Sequence, residues 1–342
     1  MDIIRRNFFR LLRAGVFGNE EQIEPMSAWK WRQLYELAER LKLTTMAFDG
    51  VQQCKGQFFM QLPDDLLRRG NEEDEKATQR WQQAVGELAE LMDILSRMQW
   101  RPVLLEPWTT AMLCAMPHHH SIGRVCVYFP YETQGRKADE WAIANATDYD
   151  DTHRHLLRYQ WKSLKVEHRH RLLLLNSRLN NSTLQNIVEQ ERLEGGTSHV
   201  VIEGQRMETV SPTLAMLVAL LGIVRTSLDE GLRLWQIVDL GVLLRRQGDR
   251  VDFVKLQGWI ERLSFTRMAQ LVATVLTGLL GFTADEVPFV HPSKIGGDVD
   301  GIADNLLHSK SRSNARYLRY NPGEGFASML AAITHRLGNV KE

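Results

Sequence analysis

The chain has 342 residues, 44% of them hydrophobic, and its 42 lysines and arginines equal its 42 aspartates and glutamates. This length and composition support a sizeable apolar core in one or two domains. The balanced charge excludes a global field that would draw the protein to nucleic acid or to an anionic membrane, so we expect neither partner, and any anion binding depends on local patches.

The cysteines and the apolar segments both predict a cytoplasmic protein. Three cysteines without C-x-x-C spacing favour a reducing compartment over a disulfide scaffold. The first residues lack the apolar core of a signal peptide. The most apolar stretch, at 214–224, is too short for a membrane span and predicts a buried helix.

Residues 1–70 predict an N-terminal helical segment. After Ser27, a predicted N-cap, apolar side chains recur at three- and four-residue steps over 28–41, as in an amphipathic helix. The charged stretch 71–79 then predicts a turn. Residues 80–100 predict a long helix with one apolar face.

Residues 71–210 predict a small mixed sheet with helices packed on it, and hence an α+β fold. Helices are expected over 137–149 and 178–193. Apolar runs and two-residue alternation predict strands at 101–107, 124–129, 153–161 and 164–174, and a hairpin over 199–210 that turns at Gly204.

Residues 211–290 predict a C-terminal helical domain, begun by Ser211 as N-cap and Pro212 at the first helical position. Residues 291–342 predict a loop-rich basic tail. Within it, GGDVDGIAD at 296–304 lacks the closing glutamate of a calcium loop and predicts an irregular loop.

Seven of the eleven histidines lie between residues 118 and 170. Two H-x-H pairs on adjacent predicted strands would place their rings on one face about 7 Å apart, a spacing compatible with metal ligation. Seven lysines and arginines surround them between 153 and 178, against the single acid Glu167. This neighbourhood disfavours a divalent ion and indicates a basic patch for phosphate, or a solvated sheet face. We therefore assign no metal ligands. The histidines concerned are His118, His119, His120, His153, His155, His168 and His170.

Common enzyme motifs are absent from the sequence. It contains no P-loop, no G-x-G-x-x-G after a strand, no H-E-x-x-H and no G-x-S-x-G. The segment at 121–129, SIGRVCVYF, alternates like a strand after Gly123 but carries no carboxylate. Any inference about function therefore has to come from the order of the larger segments.

Four segments follow one another as PVLLEPW (102–108), SIGRVCVYF (121–129), LKVEHRHR (164–171) and GLRLWQIVD (231–239). Their order and spacing resemble a family of bacterial nucleotidyltransferase-like proteins with the catalytic fold of DNA polymerase β. That family usually reads LLKG, then GDIDLLV, later VELH, and finally a helical domain with H…EG.GLRQ..D. The resemblance extends over most of residues 27–285.

The resemblance implies a strand with two aspartates and a third carboxylate on a neighbouring strand, which together hold two Mg²⁺ ions and a nucleoside triphosphate. Aligning Gly123 with the glycine of GDIDLLV puts Arg124 and Cys126 at the two aspartate positions. Glu167 matches the third acid. The remaining matches and departures are Glu106 for the lysine of LLKG, Trp235 for the arginine of GLRQ, and Gly231, Gln236 and Asp239 in their family positions.

Arginine at a carboxylate position reverses the charge that a magnesium pair requires. We therefore expect a degenerate nucleotidyltransferase-like protein that needs no cofactor and acts as a binding module for a nucleotide or another phosphate-bearing ligand. Glu167 is the one remaining candidate catalytic residue. The alternative is an active Mg²⁺-dependent enzyme that moves a nucleotide to an unknown acceptor, and a protein partner also stays open. The candidate substrate-binding residues are Gly123, Arg124, Cys126, Arg169, Gln236 and Asp239.

Overall fold

The computed structural model describes residues 1–58, 60–120, 122–153, 155–175, 177–229 and 231–308. Its helices are α1 (Ile3–Phe17), α2 (Ala28–Leu41), α3 (Thr44–Gln53), α4 (Asp64–Arg97), α5 (Trp108–Ala111), α6 (Glu132–Asn145), α7 (Arg178–Leu193), α8 (Pro212–Asp229), α9 (Leu234–Gln247), α10 (Phe253–Arg262), α11 (Thr266–Leu279) and α12 (Val299–His308). Its strands are β1 (Val103–Leu104), β2 (Val125–Tyr128), β3 (Asp148–His153), β4 (Leu156–Trp161), β5 (Leu164–Arg169), β6 (Thr197–Ile202) and β7 (Gln205–Val210). The chain divides into two compact units, residues 72–214 and residues 1–71 with 215 onward.

The unit of residues 72–214 is built on a seven-stranded mixed sheet of order β3-β4-β5-β2-β1-β7-β6. β2 lies at the centre, parallel to β5 and antiparallel to β1. The predicted α+β class with a mixed sheet is therefore confirmed.

One face of this sheet is apolar because side chains alternate along each strand. Val125 and Val127 of β2 and Val166 of β5 join a buried cluster with Leu88 of α4 and Ala138 of α6. The residues between them in sequence point to the opposite face. The central strands therefore have a helix-covered side and a side with polar groups.

Two tight turns fix the register of the outer hairpins. Lys162 has φ 52° in the two-residue connection between β4 and β5, which sets Trp161 opposite Leu164. Glu203 and Gly204 have φ 48° and 74° between β6 and β7, so the predicted turn at Gly204 is confirmed.

Two local predictions in this part of the chain were wrong. The charged stretch 71–79 is not a turn but part of α4, because it holds strong helix formers and no proline. The predicted helix over 137–149 ends at Asn145, and Asp148–His153 is instead the edge strand β3, paired with β4. Its polar, exposed side chains give no alternation signal, so pairing with β4 determines the strand.

The described parts of the other unit are helical. α2 begins where predicted, with Ser27 capping the Lys30 amide. α12 replaces part of the irregular loop predicted at 296–304, because Asp298 accepts a hydrogen bond from the Gly301 amide and the helix buries an apolar face. The basic segment predicted beyond residue 308 lies outside the described residues. No helix in the described part of the chain is long and apolar enough to cross a membrane.

Close packing of α1 against α3 depends on glycine. A Cβ added at Gly50 would lie 2.0 Å from the carbonyl oxygen of Leu11, and one at Gly15 would lie 2.3 Å from that of Met46. Neither neighbour is a flexible side chain, so the two helices would have to separate.

We expect Gly50→Ala to lower the free energy of unfolding by about 1–3 kcal/mol, the usual cost of overpacking. Urea unfolding followed by circular dichroism measures it. Gly258→Ala is the matched control, since it also lies inside a helix but an added Cβ there meets no atom within 4 Å. That change should stabilise by up to about 1 kcal/mol through helix propensity. Equal effects of the two substitutions would contradict the close approach.

Candidate functional site

The aligned positions of the expected metal site come together on the polar face of the sheet. β2 and β5 pair in parallel so that Cys126 lies directly beside Glu167. Arg124 precedes β2 and is exposed to solvent. Metal-binding carboxylates would have to lie on adjacent strands in this way. Here a thiol and a guanidinium occupy two of the three carboxylate positions.

Arginine side chains surround the Glu167 carboxylate. Arg169 contacts one carboxylate oxygen of Glu167 through both Nη2, at 2.6 Å, and Nε, at 2.7 Å. Arg158 donates to the other oxygen at 3.0 Å. Arg169 Nη2 also lies 3.6 Å from the Cys126 Sγ. A guanidinium therefore contacts both residues between which the family arrangement would place a cation.

The electrostatics of Glu167 and Cys126 follow from this arrangement. Burial would raise the pKa of Glu167, but the charges and hydrogen bonds of Arg169 and Arg158 outweigh it and hold that pKa below its usual value. Burial raises the pKa of the Cys126 thiol to about 11, which the nearby positive charges of Arg169 and Arg124 only partly offset. Glu167 is thus a paired anion at neutral pH, and Cys126 is a neutral thiol.

A pair of Mg²⁺ ions does not fit these residues. Magnesium takes oxygen ligands, and here the aspartate positions offer a guanidinium and a protonated thiol. Two unit charges about 4 Å apart interact by about 4 kcal/mol at an effective dielectric constant of ~20, and the repulsion doubles for a divalent ion. The charge of Arg169 therefore opposes a metal ion at this position.

The start of β2 is open. Gly123 is exposed, and an added Cβ there would meet no atom within 4 Å. Glu106, just after β1, is half-buried, and its negative charge contributes to raising the Cys126 pKa. The strand end at Gly123 and Arg124 is therefore accessible from solvent.

The other two predicted binding residues lie on α9, in the helical unit. Gln236 donates a hydrogen bond to the Thr226 hydroxyl at 3.1 Å, and Asp239 is buried. Gly231 has a φ of 90°, a conformation that favours glycine. The structure therefore brings Cys126 and Glu167 into one cluster with Arg169 and assigns Gln236 and Asp239 to a separate unit.

A family model described as uncharacterised nucleotidyltransferase matches residues 27–281 of the chain. The chain belongs to this family. Searches of curated proteins and of solved structures found no match. The resemblance inferred from segment order is therefore confirmed at the level of the family.

In this nucleotidyltransferase family member, two of the clustered histidines form a buried network that sequence reasoning did not find. His168 is fully buried, with Nε2 2.9 Å from the Tyr159 hydroxyl and Nδ1 3.0 Å from Asp139. His170 Nε2 lies 2.6 Å from the second oxygen of Asp139. Burial lowers the pKa of His168 although Asp139 opposes the shift. These histidines therefore connect Asp139 of α6 to β5 and to the residue that follows it, and they do not form a solvated sheet face.

The first predicted H-x-H pair has a different position from the one expected. β4 begins at Leu156, so His153 ends β3 and His155 lies in the connection. β3 also sets Asp150 opposite Arg158, and Asp148 and Asp151 are exposed on the same strand. Acidic residues therefore border the predicted basic patch.

The ion pair between Arg158 and Glu167 could have been predicted from the sequence. A two-residue turn at Lys162 and Ser163 fixes the hairpin register and places Arg158 opposite Glu167. The contact from Asp139 to His168 had no such signal, because it joins a helix and a strand 29 residues apart in sequence.

We expect Arg169→Gln to lower the free energy of unfolding at neutral pH by about 1–3 kcal/mol, since Glu167 stays buried with Arg158 as its remaining partner. With the lowered pKa of the wild type, Glu167 stabilises the fold above its unfolded pKa of about 4.3, and this contribution is lost as the pH falls through the folded value. The difference between variant and wild type should therefore shrink in acid. Urea unfolding across a pH series measures both quantities.

The control for this prediction is the double variant Glu167→Gln with Arg169→Gln. It removes the buried charge with its partner, so its difference from Arg169→Gln should be largest at neutral pH and vanish in acid. A loss in Arg169→Gln that is equally large at acid and neutral pH would contradict the electrostatic account.

Proposed function

We propose that this family member uses the nucleotidyltransferase fold as a binding module for a phosphate-bearing ligand and performs no two-metal catalysis. The observation that carries the proposal is the Arg169 guanidinium in contact with both Cys126 and Glu167. A positive charge that belongs to the protein replaces the charge that metal ions would supply.

The chemistry of the open face suits phosphate. Guanidinium groups bind phosphate oxygens with paired, charge-assisted hydrogen bonds. Arg124 is exposed at the accessible end of β2, while Arg158 and Arg169 are held by Glu167. Arg124 is therefore the residue that would contact an incoming phosphate, with the two paired arginines adding to the positive potential behind it.

The same groups are poorly suited to nucleotidyl transfer. That reaction needs cations to neutralise the triphosphate and a means of activating the attacking oxygen. A guanidinium supplies charge but does not ionise a bound hydroxyl. Glu167 has both oxygens engaged by arginine and a lowered pKa, which makes it a weak general base. We propose accordingly that no cofactor is required.

The deciding experiment titrates the protein with ATP and with inorganic pyrophosphate, each with excess Mg²⁺ or with EDTA, by calorimetry and thermal shift. Because Mg²⁺ neutralises part of the phosphate charge, we expect its presence to leave the affinity unchanged or lower it. Added salt should weaken binding by screening. We also expect no transfer of labelled nucleotide to the protein or to added acceptors.

Arg124→Gln tests the predicted contact. Loss of a charged hydrogen bond of about 1.5–3 kcal/mol corresponds to an affinity loss of about 10- to 100-fold. Arg80→Gln is the matched control, because Arg80 is exposed on α4 and lies outside the cluster. Binding strengthened by Mg²⁺ together with nucleotide transfer would support the active-enzyme alternative. Absence of binding to both probes, or equal losses in the two variants, would contradict the proposal.

A further inference from the structure

The three consecutive histidines before β2 contribute to a second cluster, at the side of α4. Residues 117–119 form a short 3₁₀ turn, and its last two residues, His118 and His119, both approach Asp74 of α4. Their rings lie 4.2 Å apart at an interplanar angle of 67°. Two imidazoles and a carboxylate thus converge on one point.

The donor atoms have the separations of a metal site. His118 Nε2 lies 3.3 Å and His119 Nε2 2.5 Å from the same Asp74 oxygen, and one ligand atom of each residue lies within 4.8 Å of the others. Ligands around tetrahedral zinc, with bonds of about 2.0–2.2 Å, are about 3.3–3.5 Å apart. The first contact already has this length, and the second would open by roughly 0.8 Å, a small rotation of the exposed carboxylate.

Comparison with the Asp139 network shows what distinguishes this cluster. His168 and His170 contact different oxygens of Asp139, and the far nitrogen of His168 contacts Tyr159, so those rings are tied into the core. At the Asp74 cluster the two Nε2 atoms meet at one oxygen. The side chains of Asp74 and His118 are 44% and 20% exposed, so an ion and a water molecule can reach them.

We propose that Asp74, His118 and His119 bind one zinc ion through the two Nε2 atoms and a carboxylate oxygen, with water in the fourth position. Imidazole ligands favour zinc and neighbouring transition metals over Mg²⁺ and Ca²⁺, which prefer all-oxygen sites. Three protein ligands with an open position form a complete zinc site. The ion would connect α4 to the turn that leads into β2.

This proposal is independent of the proposed phosphate binding. The ligands come from α4 and the 3₁₀ turn, and none of them belongs to the cluster of Cys126, Glu167 and Arg169. Either proposal can therefore fail without the other.

The test equilibrates tag-free full-length protein with zinc, removes unbound metal by dialysis, and measures bound zinc by elemental analysis. We expect one ion per chain and a higher melting temperature with zinc than with EDTA. Substitution with Co²⁺ gives an independent readout, the visible absorption of a tetrahedral site.

Asp74→Asn and His118→Ala should each weaken zinc binding by at least about 10-fold and change the Co²⁺ spectrum. Both side chains are partly exposed, so the variants should fold, which circular dichroism verifies. The control carries His153→Ala and His291→Ala, which removes two exposed histidines elsewhere. Its zinc binding should equal that of the wild type. Absence of bound zinc in the wild type, or equal binding in all variants, would overturn the proposal.

Discussion

The ion pair between Arg169 and Glu167 determines what the polar face of the sheet can do. Both residues lie on β5, beside the central strand, where the Glu167 side chain is only 7% exposed. A carboxylate this buried needs a cation beside it, since an unpaired buried charge is strongly destabilising. In the arrangement implied by the family the cation would be a metal, and in this chain it is a guanidinium. The buried Glu167 needs a neutralising charge, and the Arg169 guanidinium that supplies it also opposes the binding of a metal ion.

Much of the architecture could be predicted because local signals agreed with the tertiary structure. α2 and α7 follow apolar periodicity and begin at serine caps, and the hairpin of β6 and β7 turns at Gly204 as its sequence indicates. β3 escaped prediction because an exposed edge strand buries little and shows no alternation. The charge of the stretch 71–79 indicates a turn, but its strong helix formers continue α4 through it. One error arose where charge and helix propensity indicated different structures, and the other where the strand carried no sequence signal of its own.

The sequence could predict that Cys126 and Glu167 are neighbours, but not which charged side chains pair with one another. Alignment with the family placed Cys126 and Glu167 at neighbouring positions, and the strand register agrees. The basic neighbourhood was interpreted as a solvated or phosphate-binding patch, whereas Arg158 and Arg169 point to Glu167 and act as its counterions. The histidines likewise divide by tertiary contacts: His168 is buried against Asp139, and His119 meets Asp74. Such partners lie on elements distant in sequence, which spacing alone does not reveal.

The two sides of β2 have different roles in the structure. Val125 and Val127 fill the core under α4 and α6, and the backbone bonds to strands on both edges, so the strand is indispensable to the sheet. Arg124, just before the strand, is exposed, and Cys126 is buried on the polar side, where it contacts Arg169. A substitution on the polar side of the strand therefore changes the chemistry of that face, whereas one at Val125 or Val127 disturbs the core. The same strand therefore holds the sheet together through its apolar side chains and its backbone, while Cys126 on its other side belongs to the cluster with Glu167 and Arg169.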